Sequence, residues 1–82
     1  MKQKYPFKVN WCKICDQGWV EIVRYSKDDN LFVKCRECDS KWDTPLDSND
    51  VNKASLPLDR PIKRPTIQEI KELGWDKYIQ IF

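Results

Sequence analysis

Apolar and polar positions alternate at the start of the chain, where Tyr5, Phe7, Val9 and Trp11 are interleaved with Lys4, Pro6, Lys8 and Asn10. A period of two is that of a strand with one buried face, so residues 1–11 read as an extended arm. Over residues 18–25 β-branched and aromatic side chains dominate (Trp19, Val20, Ile22, Val23, Tyr25), and the signal returns at Leu31-Phe32-Val33 after a polar stretch at 26–30. Two such runs joined by a polar turn predict a β-hairpin. Lys41-Trp42-Asp43 predicts a third short strand, closed by Pro45, which lacks the N–H that a sheet interior requires.

Periodicity then disappears. Residues 44–65 contain Pro45, Pro57, Pro61 and Pro65 among Asp, Asn and Ser, the composition of an irregular loop. At Thr66-Ile67-Gln68-Glu69 the sequence fits a capping box, in which the Thr hydroxyl and the Glu carboxylate satisfy free backbone N–H groups at a helix start. Ile67, Ile70 and Leu73 follow at steps of three, and Gly74 is placed to close the helix in the left-handed conformation. Trp75, Tyr78, Ile79 and Phe82 continue the apolar pattern, so 66–82 reads as a short helical segment laid over one face of the sheet.

At 82 residues the chain holds one domain, 1–82, with too small a core to be comfortable without a staple. The four cysteines are the candidates. No apolar run reaches the roughly 18 residues of a membrane span, and the positively charged start is not followed by the apolar stretch of a secretory signal. The expected location is therefore cytoplasmic, with no membrane association. A reducing compartment disfavours disulfides and favours metal ligation by the same residues.

The spacing supports that choice. Cys12-Lys13-Ile14-Cys15 and Cys35-Arg36-Glu37-Cys38 repeat C-x-x-C with 19 residues between, which matches four-cysteine zinc sites and leaves room for the predicted hairpin. Each pair can aim two thiolates at one ion, giving four sulfurs around zinc at about 2.3 Å. Iron is the alternative occupant, because four thiolates hold it too. Asp16 and Asp39 follow the second cysteine of each pair, where a residue tolerant of positive φ suits the turn. A thioredoxin-like redox site would need one such pair beside a βαβ pattern, which is not present.

These elements predict a small metal-stabilised α+β fold with a three-stranded antiparallel sheet and a short C-terminal helix. The paired knuckles, the hairpin and the Trp42 strand resemble a zinc ribbon over about 10–45, followed by the loop at 46–65 and the helical segment at 66–82. Rubredoxin-type knuckles are similar, although Pro is absent after the first cysteine of each pair and Asp stands in place of the common Gly after the second. The Gly18-Trp19-Val20-Glu21-Ile22 strand and the helix at 69–79 also resemble small bacterial stand-alone ribbon proteins, some of which look like immunity proteins of contact-dependent or polymorphic toxin systems. That resemblance implies toxin neutralisation through a protein partner.

Charge distribution bears on the partner. Fifteen basic and thirteen acidic side chains leave a net charge of +2, too balanced for a dedicated polyanion binder. Lys2, Lys4, Lys8 and Lys13 form one basic segment and Arg60, Lys63 and Arg64 another, whereas 39–59 carries five aspartates against Lys41 and Lys53. Asp43, Asp47 and Asp50 are thus candidate contacts for a basic protein such as a toxin domain. The rival is a nucleic-acid-binding ribbon of transcription or translation machinery, with Lys13, Lys34 and Arg36 on phosphates rather than compensating the charge of the thiolates. Trp11, Trp19, Trp42 and Trp75 are expected to cover the core and sheet rather than to form a stacking platform for bases, with Trp19 and Phe32 the aromatic residues most readily expected on a surface. Enzymatic activity is not expected: the chain has no histidine and no Gly-rich phosphate loop, and four protein ligands leave zinc no position for water.

Overall fold

The computed structural model describes residues 7–27, 30–55 and 61–79. Tyr5, Arg60 and Phe82, on which parts of the sequence reading fall, lie outside them. The β-branched run forms the central strand β2 (Trp19–Tyr25), paired antiparallel with β3 (Leu31–Cys35) from Val20↔Cys35 to Arg24↔Leu31. Beyond β3 lies β4 (Lys41–Trp42), with Val33 opposite Trp42. The other edge of β2 is shared by two strands lying end to end. β1 (Lys8–Trp11) pairs with its first half and β5 (Ile62–Lys63) with Arg24 and Tyr25.

The fold is a small α+β arrangement of an antiparallel sheet and one short helix, but the sheet has five described strands rather than the predicted three. The extra pair are the arm, which hydrogen-bonds in as β1, and β5, which comes from the stretch predicted as loop. β5 is two residues between Pro61 and Pro65, too short to show a period. What forms it is the free edge of β2, whose backbone groups need partners. Among the described residues of that stretch there are also 3₁₀ turns at Leu46–Asn49 and Val51–Lys53.

Successive side chains on a strand point to opposite faces, and the register sorts them. Val20, Ile22, Val33, Cys35 and Trp42 share one face and are buried there with Val9, Cys12 and Ile70. Val9 reaches this core because β1 carries a bulge between Lys8 and Asn10, which breaks the alternation seen in the sequence. The Trp42 indole, 1% exposed, donates to the Asp50 carbonyl at 3.0 Å, and Asn10 Nδ2 donates to Asn49 Oδ1 at 2.7 Å. Burying an indole requires such a partner, so the 3₁₀ segment is tied to the sheet by the residue it covers.

The opposite face presents Trp19, Glu21, Val23, Tyr25, Phe32, Lys34 and Lys41. Phe32, expected on the surface, is buried. It stacks on Tyr25 with ring centroids 4.5 Å apart, and Lys41 lies over both rings. Trp19 is half-buried between the Lys8 ammonium, 5.0 Å from its ring, and the edge-on ring of Trp11. Trp11 itself is 39% exposed, contrary to expectation, because β1 is an edge strand.

Helix α1 (Ile67–Glu72) begins at the predicted capping box: Glu69 N–H donates to Thr66 Oγ1 at 3.2 Å and Thr66 N–H to Glu69 Oε1 at 2.9 Å. The second Glu69 oxygen accepts from Arg24 Nη1 at 2.7 Å, which fixes the start of the helix to β2. Gly74, at φ 73°, turns the chain into a 3₁₀ turn at Trp75–Tyr78. Of the stripe Ile67, Ile70 and Leu73, only Ile70 is buried; the other two are 45% and 51% exposed. Steps of three fall short of a full turn, so each successive side chain rotates by about 60° and a six-residue helix directs only the middle one at the sheet. No helix among the described residues is long and apolar enough to cross a membrane.

Thr66→Ala is expected to cost about 0.5–2 kcal/mol in denaturant melts, and unchanged stability would show that the cap contributes nothing. The Thr66 N–H, reinforced by Arg24, holds the Glu69 carboxyl below the ordinary carboxylate range. Its stabilisation is therefore complete above the unfolded titration range and lost as pH falls through the lowered folded value. Thr66→Ala keeps this N–H and should leave most of that acid dependence in place, whereas Glu69→Gln, which cannot titrate there, should remove it.

Candidate metal centre

Two tight turns, one before β2 and one after β3, carry the cysteines. The turns are built alike. Cys12 N–H donates to Gly18 O and Cys35 N–H to Ser40 O, both at 2.9 Å. Asp16 and Asp39 stand at φ 54° and 63°, so each loop reverses through a left-handed residue directly after its second cysteine. A side chain other than glycine is strained there. Each aspartate is anchored: Asp16 Oδ1 accepts from the Trp11 indole at 2.6 Å, and Asp39 pairs with Lys34 at 2.9 Å.

Because β2 and β3 return side by side, the two turns meet. Cys12 Sγ lies 3.6 Å from Cys38 Sγ and Cys15 Sγ lies 3.6 Å from Cys35 Sγ, and all four sulfurs are within 4.8 Å of one another. A tetrahedron with metal–sulfur bonds of about 2.3 Å has edges of about 3.8 Å. All four cysteines are free thiols, Cys12 and Cys35 buried and Cys15 and Cys38 half-buried. The residues fit a metal ion held by four thiolates.

Backbone amides point at the sulfurs as they would at anions. Ile14 N–H donates to Cys12 Sγ at 3.4 Å, Glu37 N–H to Cys35 Sγ at 3.3 Å and Cys38 N–H to Cys35 Sγ at 3.5 Å. Burial nevertheless pushes the Cys35 thiol up to about 12, and also raises Cys15. At Cys38 the same burial is outweighed by the hydroxyl and N–H of Ser40, with help from neighbouring thiols, which bring it down to about 7. An ion entering the site must displace protons from the raised thiols, so metal affinity falls as pH falls.

Ser40 and Gly18 were not singled out by sequence reasoning. Ser40 is fully buried with its hydroxyl 3.2 Å from Cys38 Sγ, and its position two residues after a second knuckle cysteine is the available signal. Gly18 leaves space for the other knuckle: a Cβ there would stand 3.1 Å from Glu37 Cβ and 3.4 Å from Cys35 Sγ. The acidic candidates are differently placed. Asp43 is exposed just after β4. Asp47 pairs with Lys53 at 3.3 Å, and Asp50 accepts the Asn52 N–H at 2.9 Å to cap the second 3₁₀ turn. No family model matches the chain, and no curated protein or solved structure shows significant similarity to it.

Ser40→Ala is expected to weaken metal binding by about 10–100-fold, the usual effect of losing a group that orients a ligand. Chelator competition at fixed pH measures it, and an unchanged affinity would refute the role of the hydroxyl.

Proposed function

We propose that the four thiolates hold one structural zinc ion, that the knuckles and hairpin form a zinc ribbon, and that the chain is a binding module rather than an enzyme. The observation that supports this is the closure of the site: four sulfurs from both turns surround one point at near-tetrahedral separations. A zinc ion with four protein ligands has no position for a reacting water and acts by holding chain segments together. Comparable sites contribute about 10–16 kcal/mol of folding free energy at neutral pH. Purified protein should contain one zinc per chain by elemental analysis and lose its circular dichroism on chelation. Iron in the site would replace zinc in this reading, and a metal-free chain of unchanged stability would end the structural role.

A protein partner, with toxin neutralisation as its specific form, is supported by the acidic balance of 39–59. Among the described residues of that stretch Asp39 pairs with Lys34 and Asp47 and Asp50 are engaged in their own loop, so Asp43 is the carboxylate there with most to offer a basic partner. A nucleic-acid partner has one geometric observation in its favour. Arg36 from the second knuckle and Arg64 from the proline-flanked segment, 28 positions apart in sequence, line one cleft. With a protein partner captured from cell extract, Asp43→Asn should reproduce most of the slower association seen when Asp43, Asp47 and Asp50 are all neutralised, since charges act chiefly on encounter. An equal on-rate for wild type and triple variant would remove the acidic stretch from recognition.

A further inference from the structure

We infer that the cleft between β1 and β5 binds an unpaired nucleotide of a single-stranded nucleic acid, with its phosphate on Arg36 and Arg64 and its base against Phe7 and Ile62. This rests on the nucleic-acid reading above and gives it a location. The cleft exists because the two strands on one edge of β2 do not meet. β1 ends at Lys8 opposite Glu21, with Ile22 N–H reaching back to the Phe7 carbonyl at 3.1 Å, and β5 resumes pairing only at Arg24. The gap of about 220 Å³ has Glu21, Ile22 and Val23 of β2 as its floor, Phe7 on one side, and Ile62, Lys63 and Arg64 on the other. Arg36 closes it from the knuckle.

The lining combines two chemistries that a nucleotide needs together. Guanidinium groups bind phosphate oxygens through paired, planar donors. An aromatic ring and aliphatic side chains accept a base face, which only an unpaired strand can offer. Among the described residues Glu21 is the one carboxylate that lines the cleft, and Arg36 Nη1 donates to its Oε1 at 3.2 Å. That ion pair holds the Arg36 guanidinium in place, while Arg64 acts on the same carboxylate electrostatically. Burial raises the Glu21 carboxyl against the pull of Arg36, Lys34 and Arg64, and its negative charge is met within the cleft by the Arg36 guanidinium. Lys63 and Arg64 are both exposed.

The test uses the zinc-loaded full chain and a fluorescent uridine dodecamer, followed by anisotropy over a range of salt. Arg64→Gln should weaken binding about tenfold and reduce the slope of log affinity against log salt by about 0.7, the value for one phosphate contact on a single strand. Lys71→Gln, which removes the same charge from the helix on the opposite face, should do neither. Glu21→Gln combined with Arg36→Gln keeps a hydrogen-bonded pair in the floor without its charges and should also weaken binding. Metal content and melting temperature, measured on each variant, separate a lost contact from a lost fold.

Equal effects of Arg64→Gln and Lys71→Gln would overturn the cleft while leaving nucleic-acid binding in place. No binding of the dodecamer by the wild type at low salt would overturn both the site and the reading beneath it. Tighter binding to a duplex of the same length would overturn the unpaired-nucleotide assignment, and a stoichiometric protein partner released by Arg64→Gln, without any dodecamer binding, would hand the cleft to protein recognition.

Discussion

The structure depends on a demand that four thiols place on the backbone: two chain reversals must arrive at one point with their sulfurs about 3.6 Å apart across the pairs. Everything else in the sheet is compatible with that demand. β2 leaves the first knuckle and β3 enters the second, so their antiparallel pairing brings the turns together, and Val20 opposite Cys35 sets the register nearest the metal centre. Cys12 and Cys35 then belong to the same buried cluster as Val20, Ile22 and Trp42. The four-cysteine site is one end of the core, which is why loss of a metal bound there should be felt as unfolding and not as the loss of an attachment.

The two aspartates show how strain is accommodated beside that site. A left-handed residue other than glycine costs about 1–2 kcal/mol. Here each carboxylate finds a donor, the Trp11 indole for Asp16 and the Lys34 ammonium for Asp39. Glycine would relieve the backbone but release both anchors. Trp11 and Lys34 lie on the same sheet face, so the choice of Asp also links the knuckles to the aromatic and basic surface behind them.

The second side of β2 is where the molecule gains its distinctive surface. A single long partner strand would have sealed that edge. Two short ones, drawn from opposite ends of the chain, leave a cleft whose walls are Phe7 and the Ile62–Lys63 strand. Arg36 is both a knuckle residue and a wall of this cleft, so its position depends on the geometry of the cysteine turn as well as on Glu21. If the four thiolates hold the proposed zinc, its loss would disturb the cleft without any change in the cleft's own residues.

Much of this was legible in the chain. Paired C-x-x-C motifs, the β-branched runs and the Thr66 to Glu69 cap depend on neighbours in sequence, and such local rules survive folding: the cysteines converge, the hairpin forms, and both capping hydrogen bonds are made. The helix stop at Gly74 follows from the same kind of rule. Tertiary structure decided what periodicity cannot carry. β5 is too short to have a period and exists because an edge of β2 was vacant; Val9 turns inward because a bulge shifts β1; Phe32 is buried by Tyr25 and the basic side chain above it. Asp47 and Asp50 read as free charge in the sequence and turn out to be structural because their partners, Lys53 and the Asn52 amide, come into reach only once the 3₁₀ turns have formed. The placing of Arg36 and Arg64 on one cleft is of the same kind, a juxtaposition of distant segments that only the pairing of β5 with β2 brings about.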